Sequence, residues 1–224
     1  MIIGISGYIG SGKDTVGQII QEVYPTDRWQ IKKFAGKLKE VASLMTGIPV
    51  EKFEDQAFKA TLLPKEWNYR HYPKCDSKGN PSDDWEMKEM TIREFLQLLG
   101  TEAIRNGLHE NAWVNSLFSD YKGYAVDYKE KGKDGLYPKE TNFPNWIITD
   151  TRFPNEAKAI KERGGVIIRV NRGISIGSSI RRHASEISLD NWPFDYTIDN
   201  NGTLEDLKKR VLEIMEEIKE VNLV

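Results

Sequence analysis

The chain has 224 residues, 39% of them hydrophobic and 29% charged; that suits one α/β domain with insertions, or two small domains, of an ordinary soluble kind. Its 34 acidic and 32 basic residues leave a formal net charge of −2, which argues against a nucleic-acid partner while leaving room for a local basic cleft. The single cysteine, Cys75, excludes an internal disulfide and a CxxC metal site and favours a reducing, cytoplasmic setting.

The first residues, MIIGISGYIG, are apolar but lack a basic leader, and they run straight into a glycine loop. Residues 2–6 therefore read as a buried strand and not as a signal peptide. No apolar run is long enough to span a bilayer, so no membrane partner is expected. In 13–24, Val16, Ile19, Ile20 and Val23 recur at helical spacing. Strand, glycine loop and helix open a parallel α/β fold. WQIKKFA (29–35) reads as a strand, 36–47 as a helix ending at Gly47, and 50–60 as another helix. Residues 61–90 lack periodicity and read as a long, partly ordered insertion on the surface. Thr91 and Glu94 have the spacing of a capping box for a helix over 91–108. Its apolar stripe is Ile92, Phe95, Leu96, Leu99 and Ala103; Arg93, Gln97, Gly100 and Thr101 line the other side. A helix over 111–121 and a loop or hairpin over 122–144 follow.

WIIT (146–149) is a short, wholly apolar strand. Pro154 and Gly164 bracket a helix, VIIRV (166–170) is the next strand, and 171–185 is a polar, Gly/Ser-rich loop with three arginines. YTIDN (196–200) is a last strand, and Thr203 with Asp206 caps a final helix. Strands alternate with helices from end to end, so residues 1–224 are expected to form a single domain, with insertions at about 61–90 and 122–144 and a lid at about 171–185.

The segment Gly7-Tyr8-Ile9-Gly10-Ser11-Gly12-Lys13-Asp14-Thr15 matches GxxxxGK in its required place after a strand and before a helix. Glycines let backbone N–H groups close around phosphate oxygens, and the following helix turns its positive end toward the same anion. Lys13 adds a point charge for the outer phosphates. The residue after the lysine is usually Ser or Thr, whose hydroxyl ligates Mg²⁺; here it is Asp14, followed by Thr15. Asp14 is a hard oxygen ligand that either holds the metal, directly or through water, or caps the helix and leaves the metal to others. Thr15 is placed for the α-phosphate or the metal.

Asp150 closes the WIIT strand, where ligands of open α/β sheets sit, and is placed to hold Mg²⁺ or its water shell. Arg152 is two residues on, within reach of a phosphate; the bland alternative is that Asp150 caps a turn and Arg152 pairs on the surface. Arg172, Arg181 and Arg182 fall on the 171–185 loop, where a closing lid would neutralise charge and expel water; the bland alternative is a solvated loop. His183 is an open case there, and His71 and His109 read as surface residues.

Taken together, SGYIGSGKDT, FAGKLKE, LLGTEAIRN with WV, DTRFPNEA, RHASE and DYTIDNNGTLEDL resemble the phage-type deoxynucleoside monophosphate kinases, in the family's order and over most of the chain. The resemblance implies a P-loop kinase-like α/β fold: three layers, a parallel sheet, a helical monophosphate-binding region and a lid. It implies ATP and Mg²⁺ as cofactors and small-molecule nucleotides as partners, in the host cytoplasm if phage-encoded, with a possible homodimer. By motif, Gly10, Ser11, Gly12, Lys13, Asp14 and Thr15 would hold ATP. Leu38, Lys39, Arg93, Gly100 and Thr101 would line the monophosphate, and Trp113 would stack on or wall off the base. Asp150, Arg152 and Glu156 would complete the phosphate site. Ile9 stands where relatives can carry a basic residue, and Lys59 is the substitute for an acceptor-phosphate contact. The rival expectations are a P-loop kinase for another phosphorylated acceptor, dephospho-coenzyme A or a modified pyrimidine monophosphate among them, and a nucleotide-binding switch; an N-K-x-D guanine-reading motif is absent.

Overall fold

A computed structural model describes residues 1–127, 139–173 and 188–221. The chain divides into two compact units: Met1–Ala35 with Trp113–Val224, and Gly36–Ala112.

In the first unit the apolar runs become strands: β1 (Ile2–Gly7), β2 (Gln30–Lys32), β7 (Trp146–Ile148), β8 (Val166–Asn171) and β9 (Tyr196–Asp199). They pair in the order β2-β7-β1-β8-β9, every pair parallel. Successive side chains of a strand point to opposite faces, and the core divides accordingly. Ile3, Ile5, Ile147, Ile168, Val170 and Ile198 lie in one buried cluster with Val16, Ile19 and Ile20 of α1 (Lys13–Val23) and with Leu207, Val211, Ile214 and Ile218 of α7 (Leu204–Val221). Ile2, Trp146, Ile148 and Ile167 join the other cluster, with Val114, Leu117 and Phe118 of α5 (Ala112–Phe118) and Ala157 and Ile160 of α6 (Pro154–Lys161). Helices thus cover both faces, giving three layers. A separate antiparallel pair joins β5 (Tyr124–Asp127) and β6 (Lys139–Asn142).

The second unit holds most of α2 (Phe34–Thr46), α3 (Gln56–Lys59) and α4 (Ile92–Gln97) around a core of Ala42, Phe53, Leu63, Met90, Ile92, Phe95 and Leu99. Two stretches differ from expectation, and a third takes a definite form. Residues 50–60 break into a 3₁₀ turn (Val50–Glu54) and α3, because Asp55 caps α3 by accepting the N–H groups of Ala57 and Phe58. The helix expected over 91–108 starts at the predicted capping box, with both reciprocal bonds formed, but widens to π-type turns over Leu98–Asn106. Within the surface insertion expected at 61–90, the ordered part is a hairpin with a tied base. Leu63 N–H donates to the Met90 carbonyl at 2.8 Å and Ile92 N–H to that of Thr61 at 3.0 Å. Between these ties, β3 (Tyr69–Cys75) and β4 (Pro81–Lys88) form a hairpin. Its turn is built on Asp76, whose Oδ1 accepts the N–H groups of Lys78 and Asn80.

Candidate nucleotide-binding site

β1 lies between β7 and β8, and its carboxyl end runs directly into the glycine loop. An open parallel sheet presents its ligand crevice at such a point. Gly10 and Gly12 have φ of +77° and +100°, a region that disfavours side-chain-bearing residues. The loop is closed internally: Ser11 N–H donates to the Tyr8 carbonyl at 3.2 Å and Lys13 Nζ donates to the same oxygen at 2.7 Å. Buried Ser11 Oγ has no hydrogen-bond partner among the described residues.

Asp14 sits in the first turn of α1 with its side chain about two-thirds exposed. Its Oδ1 accepts from the Thr149 hydroxyl at 2.6 Å and lies 3.4 Å from Lys33 Nζ. Partial burial pushes its pKa up, but the Thr149 bond and the charges of Lys33 and Lys13 outweigh that and hold it below the usual carboxylate value. It does not cap α1: Gly12 precedes that helix with no side-chain cap.

Asp150 is otherwise engaged. Oδ1 accepts Phe34 N–H at 2.8 Å and Oδ2 accepts Ala35 N–H at 2.9 Å, so the carboxylate caps the start of α2. Burial raises its pKa, against the pull of those two N–H groups, Arg152 and Lys33. Arg152 itself is exposed. Glu156, 2% exposed, folds back so that Oε2 accepts the N–H groups of Arg152 (2.8 Å) and Phe153 (3.1 Å), fixing the DTR turn from below. Trp113 is buried at the start of α5, Thr15 is half-buried and Arg172 exposed. Arg181, Arg182, His183 and nearly all of the expected lid lie outside the described residues.

Of the expected acceptor residues, Leu38, Lys39, Lys59, Arg93, Gly100 and Thr101 belong to the second unit, and Trp113, Asp150, Arg152 and Glu156 to the first. Leu38 and Gly100 meet: a Cβ on Gly100 would come within 2.7 Å of Leu38 Cδ2. Lys39 is buried with its amine on the Glu54 carboxylate, and Arg93 donates to Gln56 Oε1 at 3.1 Å. Lys59 ends the short helix α3, and Thr101 lies in the π-type segment, half-buried.

Sequence reasoning missed a second layer of groups behind the loop. Arg169, 6% exposed on β8, donates to Asp190 Oδ1 at 2.9 Å and to Ser6 Oγ at 3.3 Å, and its guanidinium lies 4.6 Å from the Tyr8 ring centroid. Tyr8 OH donates to the same Asp190 oxygen at 2.8 Å. Asn200, just past β9, donates from Nδ2 to the Ser11 carbonyl at 2.8 Å. An arginine inside the otherwise apolar VIIRV and an asparagine at the carboxyl end of a strand were the available signals.

This strand order, with a glycine loop joining β1 to α1, defines a P-loop fold of the kinase type. A profile of the deoxynucleotide monophosphate kinases matches residues 63–211, more than half of the chain, and the protein belongs to that family. A relative encoded by Acanthamoeba polyphaga mimivirus is 28% identical over 233 residues, covering 99% of this chain and 100% of its own. The deoxynucleoside-5'-monophosphate kinase of Escherichia phage T5 is 26% identical over 72% of each chain. The deoxynucleotide monophosphate kinase of Enterobacteria phage T4 is 29% identical over 61% of this chain and 48% of its own. Among solved structures, a dephospho-CoA kinase from Campylobacter jejuni aligns over 99% of this chain and 98% of its own, with a TM-score of 0.45 at 12% identity. No helix among the described residues is long and apolar enough to cross a membrane.

Proposed function

We propose that the protein transfers the γ-phosphoryl group of ATP to a deoxynucleoside monophosphate, giving the diphosphate. The observation that carries this reading is the loop from Gly7 to Thr15. It follows the central strand, has two left-handed glycines and one buried hydroxyl without a partner among the described residues, and leads into an eleven-residue helix. These features fit an anion cradle.

The residues present also fit a magnesium ion, which takes hard oxygen ligands and keeps much of its water. Asp14, exposed and acidified, is the carboxylate at the loop with open coordination sites; with Thr15 it would hold the ion directly or through water. Asp150, its two oxygens each bound to a backbone N–H, would act on the ion's water shell. Bound magnesium would neutralise part of the triphosphate charge.

The acceptor oxygen belongs to a phosphate whose second pKa is about 6, so it is already anionic near neutrality and requires no general base. What the chain must supply is alignment and positive charge between two polyanions. Lys13 would serve the triphosphate, and Arg152, presented by the Glu156-braced turn, the incoming phosphate. Arg172 would help hold ATP, and Arg181 and Arg182 would add charge during transfer. Leu38, Lys39, Lys59, Arg93, Gly100, Thr101 and Trp113 are assigned to the acceptor; Lys39 would act from within its ion pair with Glu54.

A coupled ADP-release assay over a panel of deoxynucleoside monophosphates tests this. ADP should form only with Mg·ATP and an acceptor together, and Lys13→Ala should lower kcat about 10²–10³-fold while keeping the wild-type unfolding temperature. ADP release that ignores every monophosphate would refute the reading.

A further inference from the structure

We propose that Asn200 is a positioning residue of the phosphate loop: its side-chain amide fixes the direction in which the Ser11–Gly12 peptide presents its N–H. This rests on reading that loop as the ATP site.

Asn200 is anchored before it acts. Its backbone N–H donates to the Asn171 carbonyl at 2.7 Å, at the end of β8. The next residue, Asn201, accepts the Gly173 N–H through Oδ1, so the turn is tied down on both sides. From this base, Asn200 Nδ2 reaches the Ser11 carbonyl at 2.8 Å.

A trans peptide is planar, with its C=O and N–H pointing in opposite directions. Holding the Ser11 oxygen toward Asn200 therefore turns the Gly12 N–H away from it. A flip of that one peptide would reverse its dipole and set a carbonyl oxygen where an anion needs a donor. The Asn200 bond opposes the flip.

The same contact explains why position 12 is glycine beyond its φ of +100°. A Cβ there would lie 2.5 Å from Asn200 Nδ2. Gly12 and Asn200 are thus a matched pair, one giving up its side chain so that the other reaches the neighbouring carbonyl. The residue type at 200 follows as well. Asparagine supplies a donor without charge, whereas a carboxylate would oppose the Ser11 oxygen and add a negative charge beside an anion site.

The test titrates the full chain and its Asn200→Ala and Asn200→Asp variants with Mg·ATP and, separately, with inorganic tripolyphosphate. It also records kcat, both KM values and the Gly12 amide NMR resonance without ligand. Both variants should unfold cooperatively and shift the Gly12 resonance. Both should bind the two ligands more weakly by a common factor, about tenfold for Asn200→Ala, the worth of one hydrogen bond, and more for Asn200→Asp. The acceptor KM should stay at the wild-type value. Loss for ATP with tripolyphosphate unaffected would place Asn200 against the nucleoside and overturn the proposal, as would an unmoved Gly12 resonance in either folded variant. If the wild-type chain itself takes up neither ligand, the ATP-site reading fails and the proposal falls with it. A wild-type chain that binds both ligands, with folded variants that bind them just as tightly, overturns the proposal alone.

Discussion

Asp14 and Asp190 are both carboxylates near the loop, but their surroundings give them different work. Asp14 is largely exposed and held in its ionised form by the Thr149 hydroxyl and by Lys33 and Lys13. A carboxylate whose folded pKa is depressed contributes stability that is fully present above the unfolded value of about 4 and is lost as pH falls through the folded value. Asp14→Asn should therefore be less stable than wild type at neutral pH, and the gap should close as the medium is acidified below about pH 4. Thermal unfolding across pH checks this; a gap that persists in acid would mean that the loss comes from packing. Asp190 instead neutralises Arg169, whose side chain is 8% exposed. Removing one partner of such a pair strands the other charge, so Asp190→Ala should cost about 3 kcal/mol in urea unfolding. Replacing both partners by apolar residues should recover most of that loss.

At the scale of elements, what could be read in advance depended on how local the cause was. Strands β1, β7 and β8 announce themselves as mainly apolar runs, broken only by small residues in β1 and by Arg169 in β8, because a parallel strand is buried on both faces. The loop was legible because its glycines and Lys13 are contiguous. Thr91 and Glu94 were legible because a capping box is a four-residue pattern, and Thr91→Ala should cost about 1 kcal/mol, seen as a lower unfolding midpoint with Glu94 retained. The β3–β4 hairpin was not legible: β4 is exposed along almost its whole length, so no core imposes alternation on it. Neither was the π-type stretch after Gln97, since apolar residues at three- and four-residue spacing suit an ordinary helix equally well. The braces behind the loop escaped for a different reason. Thr149 bonds a residue 135 positions away and Asn200 one 189 positions away, and such pairs exist only once the sheet has formed.

For the molecule as a whole, the sheet is the common support. Ile168 is 1% exposed and lies among side chains from β1, α1 and α7. Ile168→Ala should cost about 2–5 kcal/mol, the transfer term plus the cavity it leaves, measured by denaturant titration of the first unit's tryptophan signal. A smaller loss would mean that the two helices collapse into the gap. Because β1 is flanked on both edges by strands encoded beyond residue 145, the order of synthesis runs against the order of assembly. A ribosome delivers Ile2, Ile3 and Ile5 well before either partner strand, and these must wait, unpaired, until β7 and β8 have been translated. That interval is when a nascent chain with an open apolar strand aggregates or is held by a chaperone, and it sets a cost on expression that no property of the finished enzyme reveals.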